Sequence, residues 1–210
     1  RAPRALRRGR AAGLPGYDSG QASPHVTYDP KDRKFYQHTQ FTGAARALRN
    51  VAGGVQTNRM RALQLEIICY SDKGVADQNP SRLWVGNLSA QAIEDITEFI
   101  LWLCQTFGVK PEVRLPRPTP KYGTASPARM KADEWNSFNG IAGHFEVPEN
   151  THWDTGALNI KAIADEVKRR MSGDTSPIGD EEEMWSKDLD ENMWRTLYRG
   201  GIAKSSSEAA

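Results

Sequence analysis

The segment Ala62 to Cys69, Ala-Leu-Gln-Leu-Glu-Ile-Ile-Cys, is a nearly continuous apolar run. A run of this kind marks a strand covered on both faces, so it calls for a central strand with other layers packed against it. Glu66 interrupts it. A carboxylate buried in such a strand is costly unless it is paired or used. Glu66 is therefore either a functional group or, if the strand alternates, a neighbour of Gln64 on a solvated face.

The remaining pattern agrees with a layered α/β domain, a mixed central sheet flanked by helices. Ile93, Ile96, Phe99, Ile100, Leu103 and Phe107 recur three and four residues apart, which predicts a helix from Ser89 to Phe107. Ser89 suits its N-cap, Glu94 and Asp95 lie towards its positive end, and Gly108 suits the C′ position. Asn159 to Met171 has the same periodicity through Ile160, Ile163, Val167 and Met171, a helix for the flank of the sheet. His25–Tyr28 and Lys34–His38 surround Asp29-Pro30-Lys31-Asp32 and read as a β-hairpin. Gly43 to Val51 is rich in Ala and Arg and suits a short helix ended by Gly53-Gly54. Pro111 to Pro127 contains five of the twelve prolines and reads as a loop, a lip over a groove.

Charge and composition exclude several classes. With 28 basic and 26 acidic residues the net charge is +2, which calls for neither nucleic acid nor an anionic membrane. No apolar run approaches the roughly 18 residues of a spanning helix, and no signal-peptide core is visible. Cys69 and Cys104 lie among apolar neighbours and read as small buried hydrophobes, not a disulfide framework. Residues 1–12 use five residue types and form a basic leader with neither strand nor helix pattern, expected to be disordered or truncated, with a basic arm for anionic polymers as the alternative. The domain is then expected over 13–171. A linker-like tail, 172–210, carries Trp185, Trp194 and Tyr198.

Chemistry concentrates between Gly140 and Gly156. This stretch holds two of the four histidines, His144 and His152, with Asp154 two residues after the second. Pro148, the turn-prone Glu149-Asn150-Thr151 and Gly156 predict an ordered loop. Side chains two apart in extended chain share a face, and His and Asp are common zinc ligands. The plainer reading is surface loop residues and a core histidine.

Gly143 to Gly156, Gly-His-Phe-Glu-Val-Pro-Glu-Asn-Thr-His-Trp-Asp-Thr-Gly, resembles the C-terminal active-site segment of the type-2 N-acetylmuramoyl-L-alanine amidases. That zinc-dependent family includes phage endolysins and shares its fold with the peptidoglycan recognition proteins. The resemblance implies that His144 and Asp154 are zinc ligands and that His152 assists catalysis by stabilising the oxyanion. Ser23-Pro24-His25 through Gln37 is similar to the family's Ser-x-His hairpin. Asn58 and Glu66 resemble its Asn followed by a strand whose Glu is the catalytic base, so Glu66 takes that role and Asn58 a place beside the substrate. Trp153 is expected to line the groove. The implied protein is a phage-encoded, monomeric amidase, made in the host cytoplasm, whose partner is peptidoglycan. The chain departs from the family at one place. The family's first zinc ligand is a His at the end of a strand upstream of the hairpin, and here no His precedes His25. A damaged start, a non-catalytic peptidoglycan binder, or substitution by His25 or His38 would each account for this.

Overall fold

The hairpin forms where the turn chemistry places it. In the computed structural model, which describes residues 6–8, 22–59, 62–81, 83–115, 127–152 and 154–174, four short strands make one mixed sheet. They are β1 (Leu6–Arg8), β2 (Val26–Asp29), β3 (Lys34–Gln37) and β4 (Leu65–Ile67), in the order β1-β3-β2-β4. β2 and β3 are antiparallel, with Thr27 opposite Tyr36. Their turn is closed by Asp29, whose Oδ1 accepts from the Lys31 N–H at 2.9 Å, and Arg33 takes φ +52°. β1 runs parallel to β3, and β4 parallel to β2 with Glu66 opposite Thr27.

Two expectations are corrected here. Part of the basic leader, Leu6–Arg8, is a strand; the rest of residues 1–12 lies outside the described residues. The strand covered on both faces is β2, where Val26, Thr27 and Tyr28 are all fully buried, whereas the apolar run from Ala62 contributes only three half-buried residues at the sheet's edge. The reason lies at both ends of β4. Gln64 turns its amide inward into a polar network, and after Ile67 the chain curls so that the Cys69 N–H donates to Ile67 O at 2.8 Å.

Tyr28 and Phe35 fill one face of the hairpin. Their ring centroids lie 4.4 Å apart, and Phe35 stacks at 4.8 Å on Phe99 of a long helix. In chain order the helices are α1 (Lys73–Asp77), α2 (Ala90–Phe107), α3 (Ala132–Ser137) and α4 (Ile160–Met171). α2 begins and ends as its capping residues require, with Ser89 Oγ accepting from the Ala92 N–H and Gly108 left-handed at φ +69°. Asn159 caps α4 in the same way through the Ala162 N–H. α4 packs on α2, and Arg170 ties the two by a paired contact to Glu94 at 2.6 and 2.7 Å. Tyr28 Oη donates to Asp95 Oδ2 at 2.7 Å, joining the hairpin to the start of α2.

A smaller core of Met130, Trp135 and Val147, with Leu48, Val55, Ala62, Phe138 and Ala142 against it, supports the loops that carry the site. The helix expected over Gly43 to Val51 is absent; that stretch is irregular chain with bends. Its backbone groups are claimed by side chains from elsewhere. The Ala47 N–H donates to Gln64 Oε1 at 3.0 Å, and both polar groups of Arg49 bond Asn150. Such partners compete directly with helical i−4 bonds. By contact density the chain divides at residue 172, and the second unit, 173–210, is described only at Gly173 and Asp174. Most of the proline-rich lip, 116–126, is likewise outside the described residues.

Gln64 is the hinge of this arrangement, donating from Nε2 to Asn58 Oδ1 at 2.9 Å while it holds Ala47. Gln64→Leu leaves both partners unsatisfied, at about 1–3 kcal/mol for each buried group. The expected result is a lower urea midpoint with faster hydrogen exchange at the Ala47 amide.

Candidate metal centre

The loop after α3 is shaped before any side chain reaches the site. His144 opens a short 3-10 turn, His144–Glu146, in which the fully buried Glu146 accepts from the Gly143 N–H at 3.1 Å and pairs with Arg114 at 3.1 Å. Burial pushes the Glu146 carboxyl up to about 7 against the pull of these partners. The Phe145 N–H donates to Asp154 O at 2.8 Å, which draws the far end of the loop back beside His144. Gly156 then turns the chain at φ +60°, where a Cβ would lie 2.5 Å from Ser71 O; only glycine fits both demands. Arg129 staples the loop across its mouth, donating from Nη1 to His144 O at 2.7 Å and from Nη2 to His152 O.

This folding brings together three groups that could hold a metal ion. His144, His152 and Asp154 each offer one ligand atom, and the three atoms lie within 4.8 Å of one another. His144 Nδ1 is 3.2 Å from Asp154 Oδ2, and His152 Nδ1 is 3.7 Å from Asp154 Oδ1. The two imidazoles stack nearly parallel, 7° apart with centroids at 4.6 Å. Burial works against a charged His144, yet the Asp154 hydrogen bond and charge, helped by Asn150 and Glu66, raise its pKa. Burial likewise opposes ionisation of Asp154, and His144 overcomes it and holds that carboxyl below its ordinary value.

Asn150 decides which histidine nitrogen faces the cluster. Its Nδ2 donates to Arg49 O at 3.1 Å and Pro148 O at 2.8 Å, so its Oδ1 is the acceptor. That oxygen receives the Arg49 N–H at 2.9 Å and lies 2.9 Å from His144 Nε2. With an acceptor at each nitrogen, the metal-free ring is suited to carry both protons. Were a cation to take the place of the Nδ1 proton, Asn150 would keep the other on Nε2 and leave the Nδ1 lone pair for the ion. Outer hydrogen bonds of this kind orient metal-binding histidines. The donor set, two imidazole nitrogens and a carboxylate, fits a borderline cation held by three protein groups with one position open.

Glu66 lies close enough to feel the cluster. Its carboxyl is pushed up to about 7, first by burial, then by the Asp154 charge, with His144 pulling the other way. It makes no hydrogen bond to another described residue. Burial, then Glu66 and Asp154, push the Cys69 thiol up to about 12, so it stays neutral beside the site. Cys104 is buried, as the sequence implies, and Cys69 is half-buried; both are free thiols.

The other expected residues fall elsewhere. Asn58, expected beside a substrate, has its amide engaged internally, donating to Leu48 O at 2.8 Å and accepting from Gln64, and so supports the 46–49 loop. Trp153 lies outside the described residues. His25 is buried, with Nε2 at 3.1 Å from Gly43 O and Nδ1 receiving the Gln64 N–H at 3.1 Å, so it has no nitrogen left for an ion. His38 Nε2 is 2.9 Å from Thr27 Oγ1 and is not among the clustered groups. Asn150 and Arg129 were not foreseen as site residues. Asn150 reads locally as a turn residue, and Arg129 acts 15 and 23 residues away, beyond any local pattern.

No protein-family profile, curated protein or solved structure matches this chain. The site's chemistry therefore carries the functional argument.

Two measurements follow from these geometries. Glu66, Glu146 and His144 all bind protons more tightly folded than unfolded. For the two carboxyls that contribution is complete below their unfolded value and is lost as pH rises towards about 7; for His144 it is lost above the ordinary histidine value. The metal-free protein should accordingly be less stable at pH 8 than at pH 5, on the order of 2 kcal/mol by chemical denaturation, and a bound cation should flatten that slope. Asn150→Leu should weaken metal binding by about 10–100-fold, measured by chelator competition.

Proposed function

We propose that this chain is a zinc-dependent peptidoglycan hydrolase that cleaves the amide between N-acetylmuramic acid and L-alanine. The observation that carries the reading is the closure of His144, His152 and Asp154 into one ligand-sized group, with the Glu66 carboxyl, which bonds no other described residue, within electrostatic reach. His144 and Asp154 hold the ion, and His152 completes the set. The strand upstream of the hairpin, β1, is Leu-Arg-Arg and offers no histidine for that place.

When bound, zinc would polarise the scissile carbonyl and acidify a water. The chain's own residues do the rest. Glu66 accepts the proton of the attacking water and delivers it to the departing amine of L-alanine, the general acid–base role of a positioned carboxyl group. Asn150 keeps the His144 proton on Nε2, and Arg129 holds the carbonyls of both histidines, so the ligand atoms stay in place through the reaction. A preorganised site of this kind avoids reorganisation as charge develops.

The zinc-loaded chain should release L-alanine amino termini from muramoyl peptides, and chelation should stop it. Wall binding with no amine released would instead identify a non-catalytic peptidoglycan binder. Glu66→Gln keeps the shape of the side chain without its basicity; it should retain zinc and lose about 10²–10⁴ in rate. His144→Ala, Asp154→Ala and His152→Ala should each remove stoichiometric zinc by elemental analysis. If His152→Ala kept its zinc and lost only turnover, His152 would be an oxyanion donor, and His152→Lys should then restore part of the rate.

A further inference from the structure

Beside the clustered histidines lies a cavity of about 350 Å³ between the Arg46–Arg49 segment and the loop residues His144, Asn150, Thr151 and His152. Among the described residues its walls contain no carboxylate. Three of the four backbone N–H groups on the Arg46–Arg49 side are already spent: Arg46 donates to Ser23 O at 2.8 Å, Ala47 to Gln64 Oε1 and Arg49 to Asn150 Oδ1. The charge that wall offers a ligand is that of two guanidiniums. Both arginines are exposed, and neither guanidinium bonds or pairs with a described residue. Guanidinium is the side-chain group best matched to a carboxylate, through two parallel N–H bonds. The segment that carries the pair is held in a non-helical course by Gln64 and Asn150, so the arginines are presented by a fixed backbone and not by a fraying loop end.

We infer that this cavity is a carboxylate subsite, in which Arg46 and Arg49 hold an acidic group of the peptide on the amine side of the scissile bond. The inference rests on the amidase reading and adds to it a substrate class: muramoyl peptides whose residue after L-alanine carries a free carboxylate, in preference to their amidated forms. The volume falls within the ordinary range of small-molecule sites and accommodates one amino-acid residue with its charged end.

The test uses the full chain without metal, so that it reads binding and not turnover. The probes are N-acetylmuramoyl-L-alanyl-D-glutamate and the same compound with both carboxyls amidated, titrated calorimetrically and by the amide signals of Leu48 and Arg49. The acid should bind about tenfold more tightly than the diamide, and the ratio should shrink with added salt because the arginines are exposed. Arg46→Met and Arg49→Met keep side-chain length and should each reduce the ratio; the double variant should bring it to unity, and Arg→Lys at both positions should retain part of it. Equal affinity for acid and amide in the parent, a ratio that survives in the double variant, or no binding of either compound would overturn the subsite. A chain that prefers the acid but, when zinc-loaded, hydrolyses no muramoyl amide would leave the subsite standing and remove the amidase reading. Hydrolysis without preference would do the reverse.

Discussion

The carboxamide of Asn150 has two donors and two acceptor positions, and all four are used within a fully buried setting. Through them it joins the Arg49 backbone, 101 residues earlier, to the loop that carries His144. Two consequences follow from one side chain. The 46–49 segment is kept out of a helix, which opens the cavity beside the histidines. The His144 ring is kept in a single orientation, which aims Nδ1 at Asp154. Leaving any of these groups unpaired in a buried site costs more than the bond itself returns in water.

Gln64 and Asn58 extend that constraint to the sheet. Gln64 receives Ala47, donates to Asn58 and sends its own N–H to His25 Nδ1, while Asn58 holds Leu48 O. The strand that carries Glu66 and the loop that carries the two arginines are thus registered against each other by amides, not by apolar packing. Apolar packing is concentrated where Tyr28, Phe35 and Phe99 stack, between α2 and α4, and in the small core around Trp135. A polar network with every member satisfied is directional in a way that a hydrophobic core is not. That property suits a surface that must hold ligand atoms in place.

The electrostatics of the centre are those of charges brought together at some cost. Burial penalises a charged Glu66 most, and the nearby Asp154 charge adds to that penalty; His144 offsets part of it. A divalent cation among His144, His152 and Asp154 would relieve the remainder, because the ion becomes the largest local charge and reverses the sign of the field on Glu66.

What the amino-acid sequence determined by itself is local. The span and both caps of α2, the start of α4 and the hairpin turn at Asp29 follow from periodicity, capping side chains and turn residues, all of which act within a few positions. The sequence likewise marked His144 and Asp154 as candidate ligands and His152 as a catalytic neighbour; that His152 offers a third ligand atom is a result of the fold. Tertiary structure decided the rest. Gly43 to Val51 has helical composition, but its amides bond to Gln64 and Asn150, residues whose proximity only the fold creates. The apolar run around Glu66 reads as a central strand, but Gln64 turning inward and the curl after Ile67 leave it a short edge. Asn58, expected beside a substrate, is a buried strut of the 46–49 loop, while Arg129, silent in the sequence, holds both histidine carbonyls. In each case a polar group found its partner far along the chain, and no pattern of neighbouring residues encodes that choice.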